Sequence, residues 1–598
     1  MSTVISISNI IDKSSWSTKA LIWCLDRLLG ISKMNHLYRT NGMQGLNKEA
    51  FADKLISILK LDIEGLQILK DRIPATGPLV IASNHPFGGI EGVILARAIG
   101  EVRPDLKVLA NKGLGIFKEL REYFIFTNPL SQKDPRNGPS LRHCIQHVKN
   151  HKALLIFPAG KVSYYQAHKN AISEHHWNKI IGRLISIDYC QYLPIFVSGQ
   201  NSNMFYRVEK LFFRLRMLLL GRELLNKTGT KITIKCGHAV HQKQLKGNDY
   251  LEKAAFARAL SYTQDPRWSY HWPADTITEH LPLLAPVFKE AIKAELNQLP
   301  KEQMLCVYKG FSVYYAYQYQ TPSIVKEIAR LRELVFRDYN EGSGQAIDTD
   351  HFDATYVHLF VVENEGSRII GAYRLGLTDQ LMAEKGLDGL YLNKMFDFKP
   401  QFLNRDLPSI ELGRSFLIPE YQGSFQGLLL LWRGIGAFVC KFPQYRNLYG
   451  TVSISKLYDP RSVALIQRAL VDPNKQQNVH PRQPFDFSLH HELEEFCKQY
   501  NHRTHLPYWL KSIEADGKDL PILAKQYEKM GAEFHSLGID TSFNHTPGLL
   551  LSVNLPKAPT KLLKLYLGDG YEAYLNYSSK FKPNVFNNDS DEQAIPTK

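Results

Sequence analysis

The segment Asn84-His85-Pro86-Phe87-Gly88-Gly89-Ile90-Glu91-Gly92 brings an imidazole, two adjacent glycines and a carboxylate together. A carboxylate close to a histidine can fix its tautomer and stabilise the imidazolium, leaving the other ring nitrogen to deprotonate a hydroxyl. Gly88 and Gly89 let backbone approach a substrate closely. Taken alone, the pair also fits a packed histidine beside a carboxylate favoured by a helix dipole. Two further blocks add chemistry. Phe157-Pro158-Ala159-Gly160-Lys161-Val162-Ser163 ends an apolar run in a small-residue turn with a cation and a hydroxyl, which suits an anionic head group or carrier phosphate. Leu193–Val197 then runs into Gly199-Gln200-Asn201-Ser202. No Gly-x-Ser-x-Gly elbow lies near these blocks, which argues against a serine nucleophile.

A second candidate is Glu411-Leu412-Gly413-Arg414, at the start of an otherwise apolar strand-like run. The Glu could take a proton from an amine, and the Arg could pair bidentately with a substrate carboxylate. Strand alternation sets residues three apart on opposite faces, so a bulge would have to re-aim one, which Gly413 allows. Both residues also fit a structural ion-pair network. Asp350-His351-Phe352-Asp353, Arg374 in Tyr-Arg-Leu, and Arg332 and Phe336 on a predicted helix add further candidates.

The elements that must position these groups alternate in type. In the first half, 78–82, Leu106–Ala110, Leu154–Phe157, Leu193–Val197 and Lys231–Cys236 are strand-like, with a helix predicted over Ile90–Ile99. That alternation predicts an α/β layered fold with His85 at the C-terminal end of a buried strand, where open α/β sheets bind ligands. The second half predicts a helix over Ile324–Phe336 and a hairpin from His358–Val362 to Arg368–Leu375. A strand over Ile410–Ile418, an apolar helix over Phe425–Phe438 and a strand over Leu448–Ser453 follow. The proline-rich stretch Gln264–Gln298 reads as a boundary. The predicted organisation is a helical segment over 1–60 that could lie on a membrane, a first α/β domain over 61–265, a connector over 266–304, a second α/β domain over 305–575 and a disordered tail over 576–598.

In their order, the first three blocks resemble the glycerolphosphate acyltransferase superfamily, most of all its hemolysin-like and ornithine-lipid O-acyltransferase branch. That branch reads His-Pro-x-Gly-Gly-x-Asp-Gly and Phe-Pro-Ala-Gly, so Glu91 in place of Asp is the departure here. The resemblance covers about Leu61–Gly237. It implies a general base at His85 supported by Glu91, with Asn84, Gly88, Gly89, Phe157, Pro158, Gly160 and Ser163 around the substrate, and direct transfer from an acyl thioester to an alcohol. The second half, about Val307–Tyr571, resembles the GNAT-fold ornithine-acyl-carrier N-acyltransferases and, more distantly, acyl-homoserine-lactone synthases. That implies Glu411 as a catalytic residue and Arg332, Asp350, Asp353, Arg374 and Arg414 as substrate-binding residues. Coenzyme-A GNATs cradle pyrophosphate in a glycine-rich turn. Here the turn reads Gln422-Gly423-Ser424-Phe425-Gln426-Gly427, with Phe425 where glycine belongs, which favours an acyl carrier protein as donor.

Together the halves resemble the bifunctional ornithine-lipid synthases. The resemblance implies that the second half N-acylates the α-amine of ornithine with a 3-hydroxyacyl group from acyl carrier protein, and the first half O-acylates the new lyso-lipid hydroxyl. Glycine as acceptor, or a lysophospholipid acyltransferase with a diverged GNAT module, are the alternatives. No metal-ligand spacing and no resident cofactor is expected, the donor being a phosphopantetheine thioester.

Composition agrees with an enzyme at an anionic surface. The 598 residues carry a net charge of +15, which suits an acidic carrier protein or an anionic membrane and would also suit nucleic acid. No nucleic-acid motif, basic run or aromatic interleaving supports the last reading. Seven cysteines without a Cys-x-x-Cys pair fit a reducing cytoplasm. No secretory signal and no membrane-spanning run is visible, so a cytoplasmic protein lying peripherally on the membrane is expected. Met204–Arg222 is the amphipathic candidate for that contact. Phe205, Val208, Phe212, Leu215 and Leu219 fall on one face, with Arg207, Lys210 and Arg214 opposite. Packing of that face on the sheet is the alternative. Thr18–Gly30 is a weaker candidate.

Overall fold

The computed structural model describes residues 16–577, apart from 112–113, 116, 129–134, 136, 212–218, 273–274, 276, 278, 404–406, 424 and 475. The expected tail beyond 577 lies outside the described residues, as do Phe212, Arg214, Leu215 and Arg216 of the amphipathic candidate and Ser424 of the donor turn. The chain forms two compact units. The first runs to His271 and adds Pro460–Leu465 and Phe487–Asp519 from much later in the sequence. The second comprises Trp272–Asp459, Ile466–Asp486 and the chain from Leu520 onward.

Unit one is built on an eight-stranded sheet. Its order is Asp62–Glu64, Lys231–Cys236, Gln191–Val197, Leu79–Ser83, Ala153–Ile156, Lys107–Asn111 and Phe124–Thr127, with Val240–His241 beside Gln191–Val197. Leu79–Ser83 pairs in parallel on both sides, with Leu79 opposite Ala153 and Ser83 opposite Ile195. All five of its residues are buried. Parallel strands covered on both faces need apolar residues at every position, which is why this strand reads as a continuous run. The helix Ile90–Val102 follows at once, and Ile90 to Ala96 are all buried against the sheet. Placing a turn between that strand and that helix sets His85 at the strand's C-terminal edge.

Unit two holds a second eight-stranded sheet in the order Met304–Tyr308, Phe311–Ala316, Val357–Glu363, Arg368–Leu377, Ser409–Leu417, Asn447–Ser453, Thr546–Asn554 and Glu533–Asp540. Neighbours are antiparallel except Ser409–Leu417 and Asn447–Ser453, which run parallel. That parallel pairing extends only from Ser409↔Asn447 to Leu412↔Gly450, so the two strands part beyond Gly413. Close approach before the split requires glycine: a Cβ on Gly450 would lie 2.4 Å from the Leu412 carbonyl oxygen. The helix Phe425–Lys441 is apolar nearly all round and is covered on its outer side by Thr560–Leu567, with Trp432 stacked on Tyr566.

No helix among the described residues is long and apolar enough to cross a membrane. In the amphipathic candidate, Phe205 and Leu219 are buried with Ile22, Leu29 and Val162 inside unit one, so the described part of that face packs on protein. Nearer the N-terminus, the helix Trp16–Leu28 leaves Trp23 and Leu28 exposed, with Arg27 lying over the Trp23 ring.

Candidate active sites

His85 leaves the end of Leu79–Ser83 and turns toward a cavity of about 1460 Å³. Its Nδ1 lies 2.9 Å from Glu91 Oε1, and its ring packs against Phe157, tilted by 31°, with centroids 4.5 Å apart. Glu91 is fully buried and takes three backbone amides besides, from Phe87, Gly88 and Gly89, each at 2.9 Å. Burial alone would push this carboxyl up. The His85 imidazole and the Gly88 and Gly89 amides outweigh it and hold Glu91 at about 2. A permanently ionised carboxylate therefore faces Nδ1. Gly88 makes the wrap possible: its φ of +94° suits glycine, and a Cβ there would lie 2.7 Å from Leu220 and 2.8 Å from Val162.

The other predicted residues of this half converge on the same turn in two ways. Gly88, Gly89, Phe157, Pro158 and Gly160 line the cavity with His85. Asn84 and Ser163 are instead spent on backbone groups that hold the turn. Asn84 bridges to Val197, accepting from its amide at 2.7 Å and donating to its carbonyl at 2.8 Å. Ser163 donates from both amide and hydroxyl to the His85 carbonyl, at 2.9 and 3.3 Å. Most of the remaining cavity wall is apolar, including Leu55, Phe117, Leu120 and Leu141.

Two charged residues near this turn were not anticipated from sequence. Lys227 lines the cavity. Glu174 is buried, accepts from Trp177 Nε1 at 3.2 Å and the Tyr262 hydroxyl at 3.3 Å, and its Oε2 has no hydrogen-bond partner among the described residues. Behind it Arg258 donates to the Glu174 carbonyl at 3.1 Å and pairs with Glu492, which also receives Lys169 and the Ser173 hydroxyl. Burial, opposed by Arg258 and the Trp177 N–H, pushes the Glu174 carboxyl up to about 7. The His175-His176-Trp177 run beside Glu174 was the available signal in the sequence; Lys227 had none.

The Glu174 shift predicts a pH effect on stability. A carboxyl raised on folding stabilises the native state fully below about 4.5, its unfolded value, and that contribution is lost as pH rises through about 7. Glu174→Gln should therefore unfold later than the parent at pH 8 and not at pH 4.5. The difference should reach roughly 3 kcal/mol at most. Urea unfolding of both proteins at the two pH values measures it, and a constant difference across the range would contradict the assignment.

In unit two the predicted residues also come together, but as a buried lattice. Arg332 forks onto Asp353, with both bonds at 2.9 Å, and its Nε lies 3.0 Å from Asp348. Arg374 reaches Asp350 at 2.6 Å and Asp353 at 3.1 Å. Arg414 reaches Asp348 at 3.2 Å and donates to the Tyr391 hydroxyl at 3.3 Å. Tyr391 in turn donates to Asp540 at 2.7 Å. Burial would raise the Asp353 carboxyl, but Arg332 and Arg374 hold it far below the ordinary range. His358, buried beneath and contacting the Asp353 carbonyl at 2.8 Å, is pushed down to about 4 by burial and stays neutral.

Glu411 lies beside this lattice. Tyr356 and Tyr449 donate to its two oxygens at 2.9 and 3.0 Å. Burial pushes its carboxyl up, against those two hydroxyls. The Tyr356 hydroxyl also accepts the Tyr391 amide at 2.8 Å, linking Glu411 to the arginine lattice. Strand alternation would have separated Glu411 from Arg414. A bulge removes the conflict: Arg374 faces Gly413 while Ala372 faces Phe416, and the extra residue is accommodated by a left-handed Arg414 at φ +50°. The strained position is Arg414 itself, held between Tyr391 and Phe543 with ring centroids 4.8 and 4.5 Å away, and not Gly413.

Comparison with known proteins matches each region to a family. Residues 33–265 match the model of an acyltransferase family, and residues 331–433 match the acetyltransferase (GNAT) domain. A glycine N(alpha)-acyltransferase of Phocaeicola vulgatus is 29% identical over 292 residues, covering 46% of this chain and 89% of that protein. A lyso-glycine lipid O-acyltransferase of the same organism is 26% identical over 188 residues, covering 30% of this chain and 64% of that protein. A solved structure of a CoA-dependent acyl-homoserine lactone synthase, MesI, aligns with 46% of this chain and 99% of its own at 11% identity, with a TM-score of only 0.22. The chain is an enzyme, an acyltransferase, and combines an N-terminal acyltransferase domain with a C-terminal GNAT-type domain in mixed α/β folds.

Proposed function

We propose that this two-domain acyltransferase builds an acylated amino-acid lipid in two steps. The GNAT-type domain transfers a 3-hydroxyacyl group from an acyl carrier protein thioester to the α-amine of an amino acid. The N-terminal domain then esterifies the new 3-hydroxyl with a second acyl chain. The names of the relatives favour glycine as acceptor. Ornithine, expected from the family resemblance, is the second reading.

The observation that supports the esterification step most directly is the His85–Glu91 pair, with His85 lining a large, mostly apolar cavity. In this reading Glu91 keeps Nδ1 protonated and Nε2 removes the proton of the lipid hydroxyl. The hydroxyl oxygen attacks the thioester carbonyl, the C–S bond breaks, and the proton passes from His85 to the leaving thiolate. For the amide-forming step Glu411 takes the amine proton as the nitrogen attacks the thioester carbonyl; the C–S bond then breaks and the proton passes to the leaving thiolate. Arg332, Asp350, Asp353, Arg374 and Arg414 act as a block that shapes the acceptor pocket. The exposed Trp23 and Leu28 beside Arg27 would rest on the cytoplasmic face of the membrane, where the lyso-lipid is held.

The test is expression of the full chain in a host that makes no aminolipids, followed by lipid mass spectrometry. A diacylated glycine lipid is the expected product. A diacylated ornithine lipid would select the second reading, and new phospholipid species without an amino-acid head group would overturn both.

A further inference from the structure

Lys227 follows the short helix Leu220–Leu225 and is only 6% exposed, yet it lines the same cavity as His85. Its Nζ donates to the Gln200 carbonyl at 2.7 Å and lies 4.7 Å from the centre of the Phe87 ring. Phe87 is itself clamped: a Cβ on Gly199 would fall 2.4 Å from its ring, and Asn201 donates to its carbonyl at 3.2 Å. Phe87 belongs to the His85–Glu91 turn, so Lys227 is fixed relative to His85 by this stack.

Among the described residues no carboxylate lies within ion-pair distance of the Lys227 Nζ. Glu223, the nearest acidic residue in sequence, is already engaged by the Ser202 amide at 2.8 Å and its hydroxyl at 2.6 Å. Burial lowers the ammonium's proton affinity, while Glu223 and Glu91 at longer range oppose that. An ammonium has three donors, and Gln200 accounts for one. A buried charge left unpaired beside an apolar wall is costly, and an anion brought by the ligand would offset that cost.

The chemistry of the proposed acceptor supplies such an anion. Once the amine has become an amide, the head group's remaining charge next to the reacting chain is its α-carboxylate, whichever amino acid was used. We propose that Lys227 is the carboxylate-binding residue of the esterification site, holding the lyso-lipid head group so that its 3-hydroxyl faces His85. This inference rests on the two-step reading above. The thioester donor is neutral at its acyl end, and the pantetheine arm separates its phosphate from the reacting carbonyl.

The full-length enzyme should be assayed with N-(3-hydroxyacyl)glycine and with its neutral methyl ester. The wild type should use the acid with a kcat/KM about 10- to 100-fold higher, the range of a charge-assisted hydrogen bond, chiefly through KM. In Lys227→Gln the acid-over-ester preference should fall to near one, and Lys227→Arg should restore part of it. A preference is a ratio within one preparation, so partial misfolding does not imitate the result. A wild type without the preference, or a Lys227→Gln that keeps it, would overturn the proposal. Should Lys227→Gln prove insoluble, Lys227→Met, which keeps the stem and removes the charge, is read in the same way. Failure of the wild type to esterify either compound or the corresponding N-(3-hydroxyacyl)ornithine pair would instead remove the lyso-aminolipid reading itself.

Discussion

Replacing His85 by alanine should slow ester formation by about 10²- to 10⁴-fold and cause the mono-acylated amino acid to accumulate. The expected size follows from what is removed and what is left. Removing the imidazole leaves the Phe87, Gly88 and Gly89 amides still bound to Glu91, so the turn keeps its frame while losing the one group placed to accept the hydroxyl proton. Glu91→Gln should also slow the step, because an amide cannot stabilise the imidazolium and its NH2 group would meet backbone donors. Quantifying mono- and diacylated products by mass spectrometry over a time course reads both variants. Diacyl lipid formed at the parental rate by His85→Ala would rule out this residue as the base.

Glu411→Ala should abolish the amide-forming step, by about 10²- to 10⁴-fold if Glu411 is the base, while supplied lyso-lipid is still esterified. The geometry requires a control, because Glu411 also anchors two tyrosines. Alanine would leave the Tyr356 and Tyr449 hydroxyls without their acceptor. Glu411→Gln retains an acceptor oxygen for one of them and removes the capacity to take a proton. A glutamine variant as slow as the alanine variant supports a proton-transfer role. A glutamine variant close to parental activity would reduce Glu411 to a structural anchor. Loss of both acylations together in either variant would contradict two separable sites. Burial pushes the Glu411 carboxyl up, which strengthens it as a base and predicts that N-acylation falls off on the acid side.

Much of the scaffold was legible in the linear chain. Leu79–Ser83 and Ala153–Ile156 read as strands because parallel strands buried on both faces are apolar at nearly every position. The hairpin of Val357–Glu363 with Arg368–Leu377 and the apolar helix Phe425–Lys441 were likewise readable from local pattern and turn residues. The strands Thr546–Asn554 and Glu533–Asp540 and the edge pair Met304–Tyr308 with Phe311–Ala316 were not. Their place in the sheet comes from pairing between distant segments, of Phe311–Ala316 with Val357–Glu363 and of Thr546–Asn554 with Asn447–Ser453. The amphipathic reading of Met204–Arg222 shows the same limit from the other side. Periodicity revealed an apolar face, but only tertiary contacts could show that Phe205 and Leu219 turn it into unit one.

By itself the sequence determined the chemistry on offer: a histidine and a carboxylate flanking two glycines after one strand, and a glutamate, an arginine and an acidic pair around another. Local covalent spacing sufficed for the first group, because a strand, a tight turn and a helix start bring His85 and Glu91 together without help from elsewhere. The tertiary structure alone decided the rest. A bulge that puts Arg414 in the left-handed region, against simple alternation, depends on how three strands of the second sheet pair and part. The Arg258–Glu492 pair behind Glu174 joins residues more than two hundred positions apart in the chain. The burial that lowers the proton affinity of the Lys227 ammonium and raises the Glu174 carboxyl to about 7 is likewise a property of the folded interior, since desolvation exists only where neighbours from distant segments have displaced water.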